Sequence, residues 1–340
     1  MGTNLAPIVK REIITLKHLS GKTLAVDASI ELHQFLALIR KPDGSLFTNK
    51  EGRITSHLIG LLFRTTRLIS EFGIDLIFVF DGKAPKLKER ILIERKIAKE
   101  KAIKEWLEAI IKKDYRKAFS KAVVTGKLDE DIIKSAKRLL KLLGIPYVEA
   151  PSEAEAQASY IASKGDAWAC ATKDYDAILF GPPRVVRYLS IKGYEFLPSK
   201  GIMREIKPEL VDTERLFKEL GITREQMIDI AILVGTDFND GVKGIGPKKA
   251  LQLIKEYKSL EGLPYEIREK LPVNYQEIRE FFLRPPVNSD YEILRYEMDE
   301  EGLKEFLVEE MDFKEERVNI AIERIRKRRE QGSIVDWFKD

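Results

Sequence analysis

Seven acidic residues carry the clearest chemical signal in this 340-residue sequence: Asp27, Asp81, Glu153, Glu155, Asp174, Asp176 and Asp237. Six of them follow short apolar runs or open the helical pattern after one. The run at 23–26 ends in Asp27, that at 77–80 ends in Asp81, and ACATK at 169–173 leads to Asp174 and Asp176. Glu153 and Glu155 open the pattern that follows the run at 147–148, and Asp237 lies in the turn GTDFNDG at 235–241. If those runs are parallel strands of one sheet, the acids meet at its carboxyl edge, where such sheets bind ligands. So many carboxylates in one crevice cannot all stay ionised unaided, because like charges raise one another's pKa until a cation neutralises them. An all-oxygen donor set suits Mg²⁺ or Mn²⁺ and disfavours zinc. Two such ions, roughly 3.5–4 Å apart, activate water, hold a phosphate and stabilise the leaving oxygen, so no nucleophilic side chain is required. Three histidines (His18, His33, His57), one cysteine and no G-x-S-x-G elbow agree with that chemistry.

Each acid also has a plainer reading. Glu155 completes Ser152-x-x-Glu155, a capping box, and Glu153 suits the start of any helix, so for this pair structure and chemistry stand level. Asp27 and Asp81 could simply begin turns, and Asp237 and Asp240 sit where Asp, Asn and Gly belong. Recurrence at one edge of one sheet favours the site.

Two segments suit nucleic acid. GVKGIGPKKA at 241–250 is a glycine-rich turn with Pro247 at the first helical position. Gly244 and Gly246 let a backbone approach closely, the helix start offers N–H groups, and Lys248 and Lys249 add charge, which together fit a DNA phosphate. It is not a Walker loop, lacking G-x-x-x-x-G-K-[ST]. The segment 83–121 holds fourteen Lys/Arg against six Asp/Glu, a surplus of +8, so a chain of net charge +4 carries −4 elsewhere. It is helical by composition and alone would read as a solvated face. Directly after Asp81, it overhangs the acids and could guide a single strand.

The elements that must position these groups are legible. Short apolar runs (23–26, 76–80, 147–148, 167–171) alternate with helical patterns (the stretch to Ile39, the basic segment, 153–163), which predicts a mostly parallel α/β sheet flanked by helices. After an antiparallel segment at 185–206 the patterns turn helical, at 208–220, 224–234, 247–257, 275–283 and 314–329. No Ser/Gly-rich linker divides the halves, so the second is expected to fold against the sheet. Only the tail from Gln331 reads as detached. Cys170 alone excludes an internal disulfide framework and points to a reducing compartment. The opening residues lack the apolar stretch of a signal peptide, and no run nears the roughly 18 residues of a membrane span. A soluble, intracellular protein is expected, and a charged content of 34% with few amides is thermophile-like.

Six motifs in order resemble the flap structure-specific endonucleases of the 5′ nuclease superfamily: LAVDAS (24–29), VFDGK (79–83), APSEAEA (150–156), KDYDA (173–177), LVGTD (233–237) and GIGPKKA (244–250). The likeness runs almost from end to end. It implies a helical arch over the sheet and a C-terminal helical DNA-binding subdomain with a helix-two-turn-helix element. The corresponding regions are 1–104, 122–258 and 259–330, followed by a tail at 331–340. It implies that the seven acids hold two Mg²⁺ per subunit, with Mn²⁺ able to substitute. Lys88 and Arg95 become arch residues that contact the scissile phosphate, and Arg40 and Arg64 contact DNA nearby. Gly235, Gly244, Gly246, Lys248 and Lys249 become DNA contacts, with K⁺ at the helix-two-turn-helix turn. His33 stands where many relatives carry a stacking tyrosine, and the long spacing from Arg64 to Asp81 leaves Arg67 as an alternative to Arg64. The tail QGSIVDWF (331–338) resembles a PIP box, in which Gln331, Ile334, Trp337 and Phe338 bind the sliding clamp, PCNA.

The implied activity is hydrolysis of a phosphodiester where duplex meets a 5′ flap, with 5′–3′ exonuclease action, in Okazaki fragment maturation and repair. A monomer is expected, cytoplasmic in an archaeal cell and nuclear in a eukaryotic one. A resolvase of four-way junctions is the near alternative and a non-catalytic DNA-bending scaffold the distant one. A haloacid-type phosphatase is disfavoured, since Ala28 and Ser29 follow Asp27 where that class places a second Asp two residues on.

Overall fold

A computed structural model describes residues 3–190, 194–197, 202–205 and 207–337; at 124, 194–197, 202–205 and 329–337 it describes the backbone alone. Nine strands are present among these residues: β1 (Glu12–Ile13), β2 (Thr23–Asp27), β3 (Asp75–Phe80), β4 (Tyr147–Glu149), β5 (Ala169–Ala171), β6 (Arg184–Arg187), β7 (Tyr194–Leu197), β8 (Ile202–Glu205) and β9 (Glu209–Asp212). Seven form one sheet in the order β1-β9-β6-β5-β2-β3-β4. From β6 to β4 every neighbouring pair is parallel, while β9 and β1 add antiparallel strands at one edge. The expected mostly parallel α/β sheet is therefore present. β7 and β8 form a separate hairpin.

Fourteen α-helices lie among the described residues: α1 (Ala28–Leu38), α2 (Ser56–Phe72), α3 (Glu89–Ile111), α4 (Tyr115–Ala122), α5 (Glu130–Leu142), α6 (Ala154–Lys164), α7 (Ala177–Phe180), α8 (Thr213–Leu220), α9 (Arg224–Val234), α10 (Pro247–Tyr257), α11 (Tyr265–Arg268), α12 (Tyr275–Leu283), α13 (Glu300–Lys304) and α14 (Glu315–Trp337). Side chains alternate across a strand, so each face of the sheet collects its own core. On one face Ala25, Ile77, Val79 and Cys170 pack with residues of α6, α9, α10 and α12, including Ile161, Ile232, Ile254 and Phe282. On the other, Leu24, Val26, Phe78 and Ala171 pack with residues of α1, α2, α5 and α14, including Phe35, Leu61, Leu139 and Ile322. The second half thus folds against the sheet, as its lack of a linker implied. Among the described residues no helix is long and apolar enough to cross a membrane.

Four details differ from the sequence reading. The pattern at 208–220 is not one helix: its start is β9, which pairs with β6, and α8 begins only at Thr213, capped by Asp212. The segment 185–206 is not uniformly antiparallel, since β6 runs parallel to β5. The basic segment is two helices, broken where Lys113 adopts φ 55° and Asp114 caps α4. The tail continues α14 in backbone as far as Trp337, where detachment from Gln331 was expected. The side chains of Gln331, Ile334 and Trp337, and all of Phe338, lie outside the described residues.

Candidate active site

Strand register brings the acids to one edge. Asp27 ends β2 opposite Val79, Asp81 follows β3, and β5 pairs with β2 on its other side before leading to Asp174 and Asp176. Asp27 is buried and its carboxylate accepts the Ile30 N–H at 2.9 Å, capping α1. Asp81 crosses to the next unit, where its Oδ1 accepts the Ala154 N–H at 2.7 Å and caps α6. That bond bears on the plainer reading of Glu153 and Glu155. Glu153 is itself the N-cap residue of α6 but makes no capping bond, and the Ser152 hydroxyl has no partner among the described atoms. The capping box expected between Ser152 and Glu155 is therefore not formed, and the capping carboxylate is that of Asp81. Glu155 accepts from the Thr172 hydroxyl at 2.6 Å, and Asp176 accepts the Thr3 N–H at 2.7 Å.

The electrostatics join all seven acids in one field. Burial first, then Asp81, Asp174 and Glu153, hold the Asp27 carboxyl well above the usual range. Burial likewise raises Glu155, with Asp174, Asp27 and Asp176 adding to it. Asp176 is pushed up to about 6 by burial, which the Thr3 N–H only partly opposes. Burial raises Glu153 too, against the pull of Lys88. Among the described residues no ion pair reaches Asp27, Glu155, Asp174 or Asp176. Buried carboxylates without cationic partners are costly, and hard divalent cations suit an all-oxygen set. The donor chemistry therefore fits metal ions. No three His, Cys, Asp or Glu side chains among the described residues are arranged to ligate a single ion as they stand. Glu153 and Asp237 are also held in ion pairs.

Those pairs come from the basic segment. Lys88 is ion-paired to Glu153 and lies 3.8 Å from Asp237, and Arg95 Nη2 donates to Asp237 Oδ2 at 2.6 Å. The segment after Asp81 thus does lie over the acids, and both arch residues named by the resemblance reach them. His33 faces the same cleft; burial and then Lys99 lower its pKa, so the ring is neutral at neutral pH.

The other DNA-contact candidates fall into two groups. Gly235 ends α9 with φ 109°, and a Cβ at Gly241 (φ 74°) would stand 2.4 Å from the Val234 carbonyl, so only glycine permits this tight turn beside Asp237. Beyond it, Gly244 and Gly246 have open space where a Cβ would point, and Lys248 and Lys249 are exposed. Buried Ile245 and Ala250 anchor the loop. Arg40 and Arg64 are set deeper. Arg40 is 9% exposed and gives Nη1 to the Gly44 carbonyl at 2.7 Å, while its Nε and Nη2 are buried without a partner among the described atoms. Arg64 donates to the Ser190 carbonyl at 2.6 Å and lies over the Phe35 ring. Arg67, the alternative to Arg64, pairs with Glu71 and lies over Phe72. Among the described residues neither Arg40 nor Arg64 makes an ion pair with the seven acids. Sequence reasoning missed Thr3 and Thr172, whose contacts with Asp176 and Glu155 are long-range and leave no local pattern.

Two family models match this chain: the XPG N-terminal domain over residues 3–102 and the XPG I-region over residues 144–237. Flap endonuclease 1 of Staphylothermus marinus is 46% identical over 350 residues, covering 99% of this chain and all of the relative. The chain belongs to the flap endonuclease family. Flap endonuclease 1 of Pyrococcus abyssi is 47% identical, covering 99% of this chain and 98% of the relative. Among solved structures, flap endonuclease-1 from Methanococcus jannaschii superposes with a TM-score of 0.74 at 37% identity, covering 95% of this chain and 98% of that one. The catalytic core of Rad2 in complex with DNA substrate shares the fold at 24% identity and a TM-score of 0.70. The two matched regions of this flap endonuclease family member hold all seven acids, and the interval between them holds the end of α3 and all of α4 and α5.

Proposed function

We propose that this protein is a structure-specific 5′ flap endonuclease that hydrolyses DNA phosphodiesters where single strand meets duplex. One observation carries the reading: seven acids at the carboxyl edge of a parallel sheet, mutually coupled and overhung by Lys88 and Arg95. Asp27, Asp81, Glu153, Glu155, Asp174, Asp176 and Asp237 are assigned to two Mg²⁺, for which Mn²⁺ can substitute. When bound, such ions supply an activated water and stabilise the departing oxygen. Lys88 and Arg95 orient the scissile phosphate over the acids. Gly235, Gly244, Gly246, Lys248 and Lys249 form a backbone cradle for duplex phosphates, a helix-two-turn-helix element that also holds K⁺. Arg40, whose buried Nε and Nη2 have no partner among the described atoms, and Arg64 are assigned to the DNA beside the cut. The protein acts as a monomer in the cytoplasm of an archaeal cell, in Okazaki fragment maturation and repair, and also removes nucleotides from 5′ ends.

Side-by-side cleavage of labelled double-flap, nicked and four-way substrates tests this, with and without Mg²⁺. Preferential cutting of the flap in Mg²⁺ is expected; a preference for the four-way junction, or cutting undiminished by EDTA, would refute the reading. Because contacts go to backbone, log Kd should rise steeply with log salt and differ little between flap sequences.

The tail is assigned to the sliding clamp on its motif. Ile334, Trp337 and Phe338 are spaced i, i+3 and i+4, the anchor pattern of a helix that fills a partner groove. Replacing Trp337 and Phe338 by Ala should remove clamp stimulation and leave basal cleavage unchanged. Undiminished stimulation in a reconstituted assay would show that the clamp binds elsewhere.

A further inference from the structure

The first turns of α3 have little to hold their direction. Residues 92–98 are all exposed, so between Leu87, which packs on the core, and buried Ala102 no apolar packing holds these turns over the site. Ion pairs take that part. Two are those of Lys88 and Arg95, and both end on acids assigned to metal. A third ends elsewhere. Arg90 sends Nη1 and Nη2 to Oδ2 and Oδ1 of Asp240 at 2.8 Å each, a two-pronged contact that fixes direction as well as distance. The same Nη1 donates to Glu94 one turn along α3 at 3.0 Å, so the guanidinium is already oriented when it meets Asp240.

Asp240 belongs to a rigid turn. The backbone of Thr236 and Asn239 is bridged, their side chains bond at 2.8 Å, and Asn239 Nδ2 donates to the Ile232 carbonyl at 2.7 Å. The space at Gly235 and Gly241 is filled by neighbouring backbone. Asp237 stands on the same turn, and the open glycines 244 and 246 follow it. Arg90 therefore fastens the root of the arch to the element that joins an active-site acid to the phosphate cradle.

We propose that Arg90, oriented by Glu94, latches onto Asp240 and so sets the reach of Lys88 and Arg95 over the scissile phosphate. The inference rests on the flap endonuclease reading. Arg90 and Asp240 are positioning residues, and because Asp240 is not among the metal acids the latch persists when Glu153 and Asp237 turn to the ions. Both side chains are exposed, 49% and 76%, so the pair adds little to fold stability. Its effect is on which arch position is populated.

The test is a double-mutant cycle, Arg90→Ala, Asp240→Ala and both together, with Arg90→Lys as the conservative variant. Three quantities are read: single-turnover cleavage of a 5′ flap in Mg²⁺, junction Kd in Ca²⁺, and tryptic nicking after Arg95 and Lys96 in the free protein. Each alanine should slow cleavage about three- to fivefold, the size open to one exposed charge pair, with Kd changed less than about twofold and nicking accelerated by a similar factor. The double variant should be no slower than either single, and Arg90→Lys, which keeps one prong, should lie between parent and Arg90→Ala. Unchanged cleavage and nicking in the singles, or losses that multiply in the double, would overturn the latch. A parent protein that fails to cut a 5′ flap overturns the functional reading instead, and the nicking cycle then still decides the latch.

Discussion

Asp176→Asn is expected to lower flap cleavage by about 10³-fold, the order lost when one preorganised electrostatic group leaves a phosphoryl-transfer site, while junction binding in Ca²⁺ stays within about twofold. The substitution is clean because Asn keeps both the volume and an oxygen for the Thr3 N–H. What it loses is charge. Single-turnover rates with saturating enzyme, set beside Mg²⁺ titration by calorimetry, separate the two effects; parental activity in Mg²⁺ would contradict the assignment of Asp176 to the ions. The same side chain gives a pH signature to the metal-free protein. Its carboxyl is held at about 6 in the fold against an ordinary 3.8, so between those values the native state binds more protons than the unfolded chain. Stability contributed by this group is therefore full below pH 4 and falls as pH rises toward 6, by on the order of 2–3 kcal/mol for a shift of that size. Thermal unfolding in EDTA should show this decline on top of any change from other groups, and Asp176→Asn should flatten it. Mg²⁺ should raise Tm more at pH 8 than at pH 5, and an equal increase at both would remove the link between the buried acids and the ions.

Much of the site was legible because its parts are local. Strands buried on both faces read as unbroken apolar runs, so 23–26 and 76–80 announce themselves, and an acid at the end of each is one residue's step away. The glycine turn at 241–246 is legible for the same reason, since its conformation is set by residues within it. What stayed hidden depends on partners far along the chain. The start of the pattern at 208–220 reads as helix, because Leu210 falls seven residues before Phe217 and on the same helical face as Phe217 and Leu220, yet pairing with β6 makes 209–212 a strand. Ser152 and Glu155 match a capping box, but the helix start is capped by Asp81, more than seventy residues earlier, which accepts the Ala154 N–H. Nothing local distinguishes the two outcomes. The arch shows both cases at once: its charge surplus is plain in the sequence, whereas the targets of Lys88, Arg90 and Arg95 are not, since each bonds an acid dozens of residues away.

Lys88→Met should cost about 10²- to 10³-fold in single-turnover cleavage, because it removes a charge aimed at the reacting phosphate and keeps the length and apolar stem of the side chain. Lys88 closes the short turn Lys86–Lys88 just before α3, and only 15% of its side chain is exposed. Burial works against its charge, but Glu153 and Asp237 more than compensate, so its pKa stands above the ordinary lysine value and it is cationic throughout the working pH range. It cannot then serve as a general base; its contribution is electrostatic, and the loss on substitution should be nearly independent of pH between 6 and 9. Arg95→Ala should behave alike. The double variant should lose much less than the product of the two, since both cations act on one phosphate and share Asp237. Mg²⁺ affinity separates this pair from the acids. Lys88 competes with cations for Glu153, so Lys88→Met should bind Mg²⁺ at least as tightly as the parent, whereas Asp176→Asn should bind it more weakly. A Lys88→Met enzyme that cleaves at the parental rate would show that the arch cation is only a structural partner of Glu153, and one with weakened Mg²⁺ binding would show that it shapes the acid site and does not act on the substrate.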